Sequence, residues 1–240
     1  MRRINNNVEE RRIAVLIDAD NVSQKYIKYI FEELTKHGIL TYKRIYGDWT
    51  NTRQNSWKEV LLNYSITPIQ QYGYTTGKNS TDSALIIDAM DILYSENVDG
   101  FCIVSSDSDF TKLAVRLREA GMYVVGMGEK KTPNPFIVAC EQFKYLESLI
   151  QIETTPNSAT NIATVPKELK EITNVILALI ADMSDEAGWV HLSALGNMLV
   201  KRQPDFDTRN YGYAKLSSLI SAIPVVEMKM KGKAYYIRRK

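Results

Sequence analysis

Cysteine and histidine are scarce: the 240 residues include two of each. Cys102 and Cys140 lack CxxC spacing and stand among apolar residues. That excludes a disulfide framework and a cysteine zinc site, and both are expected as buried packing residues. His37 and His191 leave little room for imidazole chemistry, and structural roles are expected for both. Long apolar runs are missing too. The stretch from Val175 to Ala181 falls far short of the ~20 residues that a bilayer span requires. The opening segment, Met1 to Arg12, is charged and has no apolar core ahead of a cleavage site, so no secretory signal is expected. Hydrophobic residues at 45% and charged residues at 24% are ordinary globular values. The expected compartment is the cytoplasm.

The overall charge of +2 conceals an asymmetry. Residues 167–240 hold twelve Lys and Arg against eight Asp and Glu, whereas residues 1–150 hold 18 against 19. Six of those twelve cations fall in the last twelve positions, with no acid among them. A basic end on a small domain points to a polyanion, the alternative being a solubilising surface.

The first 150 residues alternate strand and helix. Strands are expected at 13–17, 39–46, 66–72, 101–104 and 122–127, and helices at 23–37, 57–63, 81–94 and 110–120. Residues 136–145 complete the unit. Such alternation implies a mostly parallel sheet with helices on both faces. Residues 151–166 are rich in Thr, Asn, Ser, Ala and Pro with one charge, Glu153, and read as a linker. Beyond it, helices at 167–183, 192–201 and 213–222 and a hairpin of 225–230 with 233–238 spell a winged helix-turn-helix. The domain boundaries are therefore 1–150, 151–166 and 167–240.

Aspartates stand where strands run out. Asp18 and Asp20 follow Ile13-Ala-Val-Leu-Ile17, Asp82 opens the helix after the 73–80 loop, and Asp107 and Asp109 follow Phe101-Cys-Ile-Val104. In an open α/β sheet the carboxyl ends of the strands form the ligand crevice, so these residues can converge across ~90 positions of sequence. Capping competes with function at Asn21 and Asp82, because each also suits the first turn of a helix. As an ensemble, however, the acids repel one another and call for a cation. Hard oxygen donors without His or Cys fit Mg²⁺ or Mn²⁺ and phosphate-ester chemistry. Asp18, Asp82, Asp107 and Asp109 are the expected catalytic residues and metal ligands. Asn21, Ser105 and Lys78 are the expected substrate contacts beside them. The segment Gly73-Tyr-Thr-Thr-Gly77-Lys78-Asn79 fails the P-loop pattern, since its glycine spacing is one short and Asn follows the lysine.

Three of these stretches resemble the signatures of NYN domains, relatives of the PIN ribonucleases: Leu-Ile-Asp18-Ala-Asp-Asn21, Gly77-Lys78 through Asp82 to Asp88-Ala, and Val-Ser-Ser-Asp107-Ser-Asp109-Phe110. The resemblance covers about residues 10–150. It implies a PIN-like three-layer α/β/α fold and Mg²⁺- or Mn²⁺-dependent cleavage of RNA, with Asp18, Asp82, Asp107 and Asp109 as the acidic cluster and Asn21 beside it; endonucleolytic action is expected, with exonucleolytic action left open. Asp88 also matches. Six helical residues beyond Asp82 is ~120° around the helix, which gives Asp88 a supporting role. Ser106 stands where the family often has glycine.

A second resemblance lies in Gly188-Trp189-Val-His-Leu-Ser-Ala-Leu-Gly196, Pro204-Asp-Phe-Asp207, Tyr211-Gly-Tyr213 and Lys215-Leu-Ser-Ser-Leu219, which is similar to LOTUS, or OST-HTH, domains. It implies an RNA-binding winged helix. Its expected contacts are Lys229, Lys231 and Lys233, with Tyr211 and Tyr213 as stacking or packing residues. RNA, single-stranded or structured, is the expected partner, with a protein partner through the C-terminal domain as the alternative. Two other functions stay open. One is a catalytically silent RNA-binding scaffold. The other is a haloacid-dehalogenase-like phosphatase, whose D-x-D-x-V opening fits Asp18-Ala-Asp20-Asn-Val22 but whose phosphate lysine has no counterpart at a strand end.

Overall fold

The computed structural model describes residues 10–51, 54, 56–72, 80–150, 167–232 and 234–240. The chain divides into two compact units, Met1–Leu149 and Ile150–Lys240.

The first unit runs β1 (Arg12–Asp18), α1 (Ile27–Leu34), β2 (Ile39–Gly47), α2 (Trp57–Tyr64), β3 (Thr67–Gln70), α3 (Ser80–Tyr94), β4 (Gly100–Val104), α4 (Thr111–Glu119), β5 (Tyr123–Gly128), α5 (Asn134–Ala139), β6 (Gln142–Tyr145) and α6 (Leu146–Ile150). Its six strands are all parallel and lie in the order β3-β2-β1-β4-β5-β6. Every residue from Ile13 to Ile17 is sealed from solvent, as both faces of a central parallel strand must be. Leu85, Ala89, Ile92 and Leu93 of α3 recur at helical spacing and pack with Leu113, Ala114 and Leu117 of α4 in one core. β1 leads outward to β2 and β3, and β4 leads the other way to β5 and β6. The strand order therefore reverses between β1 and β4, and the region beyond their carboxyl ends is where open α/β sheets bind ligands.

Two local outcomes differ from the expected elements. The helix expected at 23–37 is shorter, because Ser23 makes no side-chain cap and a 3₁₀ turn at Gln24–Tyr26 precedes α1. After Leu34 the chain tightens, with Lys36 N–H on Glu33 O and His37 N–H on Leu34 O. Gly38 then allows entry to β2, since a Cβ there would lie 2.0 Å from Arg11 O. Residues 136–145 also divide into a helix and a sixth strand. Cys140 takes an extended conformation that ends α5, and its buried thiol donates to Phe136 O at 3.3 Å. Cys102 and Cys140 are both buried and unbridged.

The second unit comprises α7 (Lys167–Met183), β7 (Val190–His191), α8 (Leu192–Arg202), α9 (Leu216–Ser221), β8 (Val226–Lys231) and β9 (Ala234–Arg239). Its antiparallel sheet has the order β7-β9-β8. Ile172, Ile176, Leu195, Leu199, Leu219 and Ile237 belong to a core of its own. The third helix begins at Leu216 rather than 213, because Gly212 adopts a left-handed φ of 82° and Lys215 is extended. Among the described residues, no helix is long and apolar enough to cross a membrane.

Candidate metal centre

The site grows out of the carboxyl ends of β1 and β4. Asp18 is fully buried, and three donors converge on its carboxylate. Oδ1 accepts the Asp20 N–H at 3.0 Å, while Oδ2 accepts from Asn21 Nδ2 at 2.7 Å and from the Ser105 hydroxyl at 2.8 Å. Burial nonetheless raises its pKa above the ordinary carboxylate value. The Ser105 oxygen in turn accepts the Asp107 N–H at 3.1 Å. One hydroxyl thus ties the end of β1 to the turn after β4.

Asp107 caps the 3₁₀ turn Ser108–Phe110 by accepting the Asp109 N–H at 2.9 Å. Asp82 enters from the first turn of α3, where the helix dipole favours an anion. One carboxylate oxygen each from Asp82, Asp107 and Asp109 lies within 4.8 Å of the others. Burial chiefly, then the charges of Asp18, Asp107, Asp109 and Asp20, push the Asp82 pKa up to about 6. Four like charges around a carboxyl that is 9% exposed repel it, and a cation would compensate them. Octahedral Mg²⁺ sets its oxygens about 3 Å apart when adjacent and about 4 Å when opposite. The three carboxylates are therefore within a small adjustment of a ligand set, and all-oxygen donors suit Mg²⁺ or Mn²⁺.

The expected site residues separate accordingly. Asp82, Asp107 and Asp109 come together. Asp18 stands outside that trio but close enough for its charge to act on Asp82. Asn21 and Ser105 are both held by Asp18. Lys78 lies outside the described residues. Asp88 is gripped by Arg44 and the Tyr46 hydroxyl of β2, a supporting position. Ser106 donates nothing to the acids, and its oxygen accepts the Glu129 N–H at 2.9 Å.

Two further residues belong to the site. Asp20 accepts from the Thr81 hydroxyl at 3.0 Å and from Gln54 Nε2 at 3.4 Å, fastening the β1 loop to the start of α3. Tyr46 accepts the Ala19 N–H on its backbone carbonyl at 3.0 Å while its phenol holds Asp88. It spans from the residue after Asp18 to the helix that bears Asp82. The only sequence signal for either was position, Asp20 beside Asp18 and Tyr46 at a strand end.

In the second unit, Tyr211 and Tyr213 are half-buried and pack against the core, with the Tyr211 ring 6.0 Å from Phe206. Lys229 and Lys231 are exposed on β8, and Lys233 lies outside the described residues.

A parallel sheet with carboxylates converging past its switch point, followed in the same chain by a winged helix, is the plan of an acid-site α/β domain coupled to a nucleic-acid-binding type of module. Residues 12–147 match the NYN domain and residues 164–237 the OST-HTH/LOTUS domain. The chain belongs to the NYN domain family, with a PIN-like fold. An uncharacterized protein of Methanocaldococcus jannaschii, MJ0482, is 26% identical over 123 residues, 50% of this chain and 48% of that protein. The chain thus spans about half the length of that curated relative. The crystal structure of a protein of unknown function from Vibrio parahaemolyticus, VPA0982, superposes with a TM-score of 0.50 at 19% identity, over 58% of this chain and 94% of that one. It shares the fold.

Proposed function

We propose that the first unit is a ribonuclease dependent on Mg²⁺ or Mn²⁺, acting endonucleolytically on RNA that the second unit helps to hold, in the cytoplasm. The observation that carries this reading is the trio of Asp82, Asp107 and Asp109, with carboxylate oxygens within 4.8 Å of one another, at the crevice of a NYN fold. These three would be the direct ligands. A bound cation would lower the pKa of a water and neutralise charge on the phosphate oxygens.

The chain's own groups do the rest. Asp18, with both oxygens engaged, fixes Asn21 and Ser105 and adds charge behind the trio. Asn21, half-buried beside Asp18, would contact substrate, with Lys78 a further candidate, whereas the fully buried Ser105 would position Asp18 and the turn that bears Asp107. A fully buried Asp18 is poorly presented as the nucleophile of a phosphatase. Water attacks phosphorus and the 3′ oxygen leaves, giving 5′-phosphate and 3′-hydroxyl ends.

The purified chain is expected to cut single-stranded RNA with Mg²⁺ or Mn²⁺ and to stop when a chelator is added. Asp107→Asn removes a ligand charge and should slow cleavage by on the order of a hundredfold or more, with an unchanged circular dichroism spectrum. Equal rates for parent and variant would refute the assignment. A covalent phosphoryl group on Asp18 would favour the phosphatase instead. RNA binding without cleavage under any divalent ion would favour the silent scaffold.

A further inference from the structure

The three strands of the second unit have two unlike faces. Val190, Ile237 and Met228 stand opposite one another in register and point into the core. The next row, His191, Tyr236 and Lys229, must point the other way. Along the same outer face, alternation places Arg238 and Glu227 on one side of that row and Ala234 and Lys231 on the other. The His191 and Tyr236 rings meet edge to face at 5.1 Å, and the Arg238 guanidinium lies 4.7 Å over the Trp189 ring. This outer face carries three aromatic side chains, Trp189, His191 and Tyr236, interleaved with three cations.

Its charge is one-sided. Glu227, the acid on this face, is already paired with Arg238 at 2.8 Å. Lys229 and Lys231 are exposed, and no carboxylate among the described residues engages them. No acid occurs in the last twelve residues of the chain. Flat rings at half-exposed positions between cations suit bases and phosphates in alternation, which an acidic protein surface would not exploit. By contrast, Tyr211 and Tyr213 pack against the core.

We propose that the outer face of the β7-β9-β8 sheet is a single-stranded RNA-binding surface on which Tyr236, with Trp189 and His191, stacks bases while Lys229 and Lys231 contact phosphates. The inference rests on the RNA-binding reading of the second unit and assigns its surface. The His191 ring is held in place as the N-cap of α8, its Nδ1 accepting the Ser193 N–H at 3.3 Å.

The test is fluorescence anisotropy of the full chain with labelled 20-nucleotide single-stranded RNA, in EDTA so that nothing is cut. Tyr236→Ala should weaken binding roughly five- to a hundredfold with an unchanged salt slope, and Tyr236→Phe should bind as the parent does. Lys229→Ala with Lys231→Ala should flatten the slope of log K against log salt by about 0.7 per lysine. These two variants retain every ring, so they decide the matter even if Tyr236→Ala fails to fold. Parent-like affinity and slope in the lysine variants overturn the surface assignment while leaving RNA binding intact. A parent that binds no RNA even at low salt overturns the RNA-binding reading itself, and the surface with it.

Discussion

Asp82 illustrates what a single residue contributes to this site and what it costs. Its carboxyl is buried among like charges, and its pKa is pushed up to about 6 from the ordinary 3.8. The folded protein therefore holds the Asp82 proton more tightly than the unfolded chain does. From this group, stability is greatest below pH 3.8 and is lost as pH rises toward about 6, after which the penalty stays constant. A bound divalent cation would reverse the penalty by compensating the charge. In metal-free solution at pH 8, Asp82→Asn is expected to raise Tm by a few degrees, an advantage that should vanish near pH 4. Mn²⁺ should then raise the Tm of the parent more than that of the variant. Calorimetry at the two pH values checks both. A lower Tm for the metal-free variant at pH 8 would mean that Asp82 is held by contacts rather than strained by charge.

At the scale of elements, the acids converge because β1, β4 and α3 are held in one relative position. Tyr46 and Asp88 do much of that holding, since β2 grips α3 through the phenol and Arg44 while the Tyr46 backbone receives the residue after Asp18. Tyr46→Phe keeps the ring in the core and removes only the hydroxyl. The expected loss is about 1–3 kcal/mol of stability, for a hydrogen bond to a charged group. Mn²⁺ affinity, read by electron paramagnetic resonance, should fall several-fold as α3 loosens. Unchanged affinity beside reduced stability would confine Tyr46 to the core. Much of this scale was legible in sequence. Five apolar residues ending in Asp18, and four ending before Ser105, show where buried strands leave the sheet, so the acids at their ends could be named. The burial of Asp18, the Thr81–Asp20 bond and the Tyr46–Asp88 grip were not legible. Each depends on two segments between 42 and 87 positions apart meeting at hydrogen-bond distance, except where helix geometry alone set Asp88 aside from Asp82. The wing was half legible. Its cations showed as composition, whereas which aromatics share their face depends on strand register, and only that register sets Tyr236 beside Lys229.

For the whole molecule, two units with separate cores imply, under the proposed function, two separable energies: one for binding RNA and one for cutting it. A binding module joined to a catalytic one raises the effective concentration of substrate at the acids without touching the chemical step. The effect should depend on substrate length. A long RNA can engage both units at once, but an oligonucleotide of a few bases fills the crevice alone. Removing residues 167–240 should therefore leave cleavage of the short substrate within about twofold while lowering kcat/KM on a long one by roughly ten- to a hundredfold, mostly through KM. Raising salt should close that gap, because the contribution of the basic wing falls with each phosphate contact that is screened. If the truncated chain instead loses activity on short and long RNA alike, while its circular dichroism and metal binding stay intact, the second unit acts on the acid site itself rather than on substrate capture.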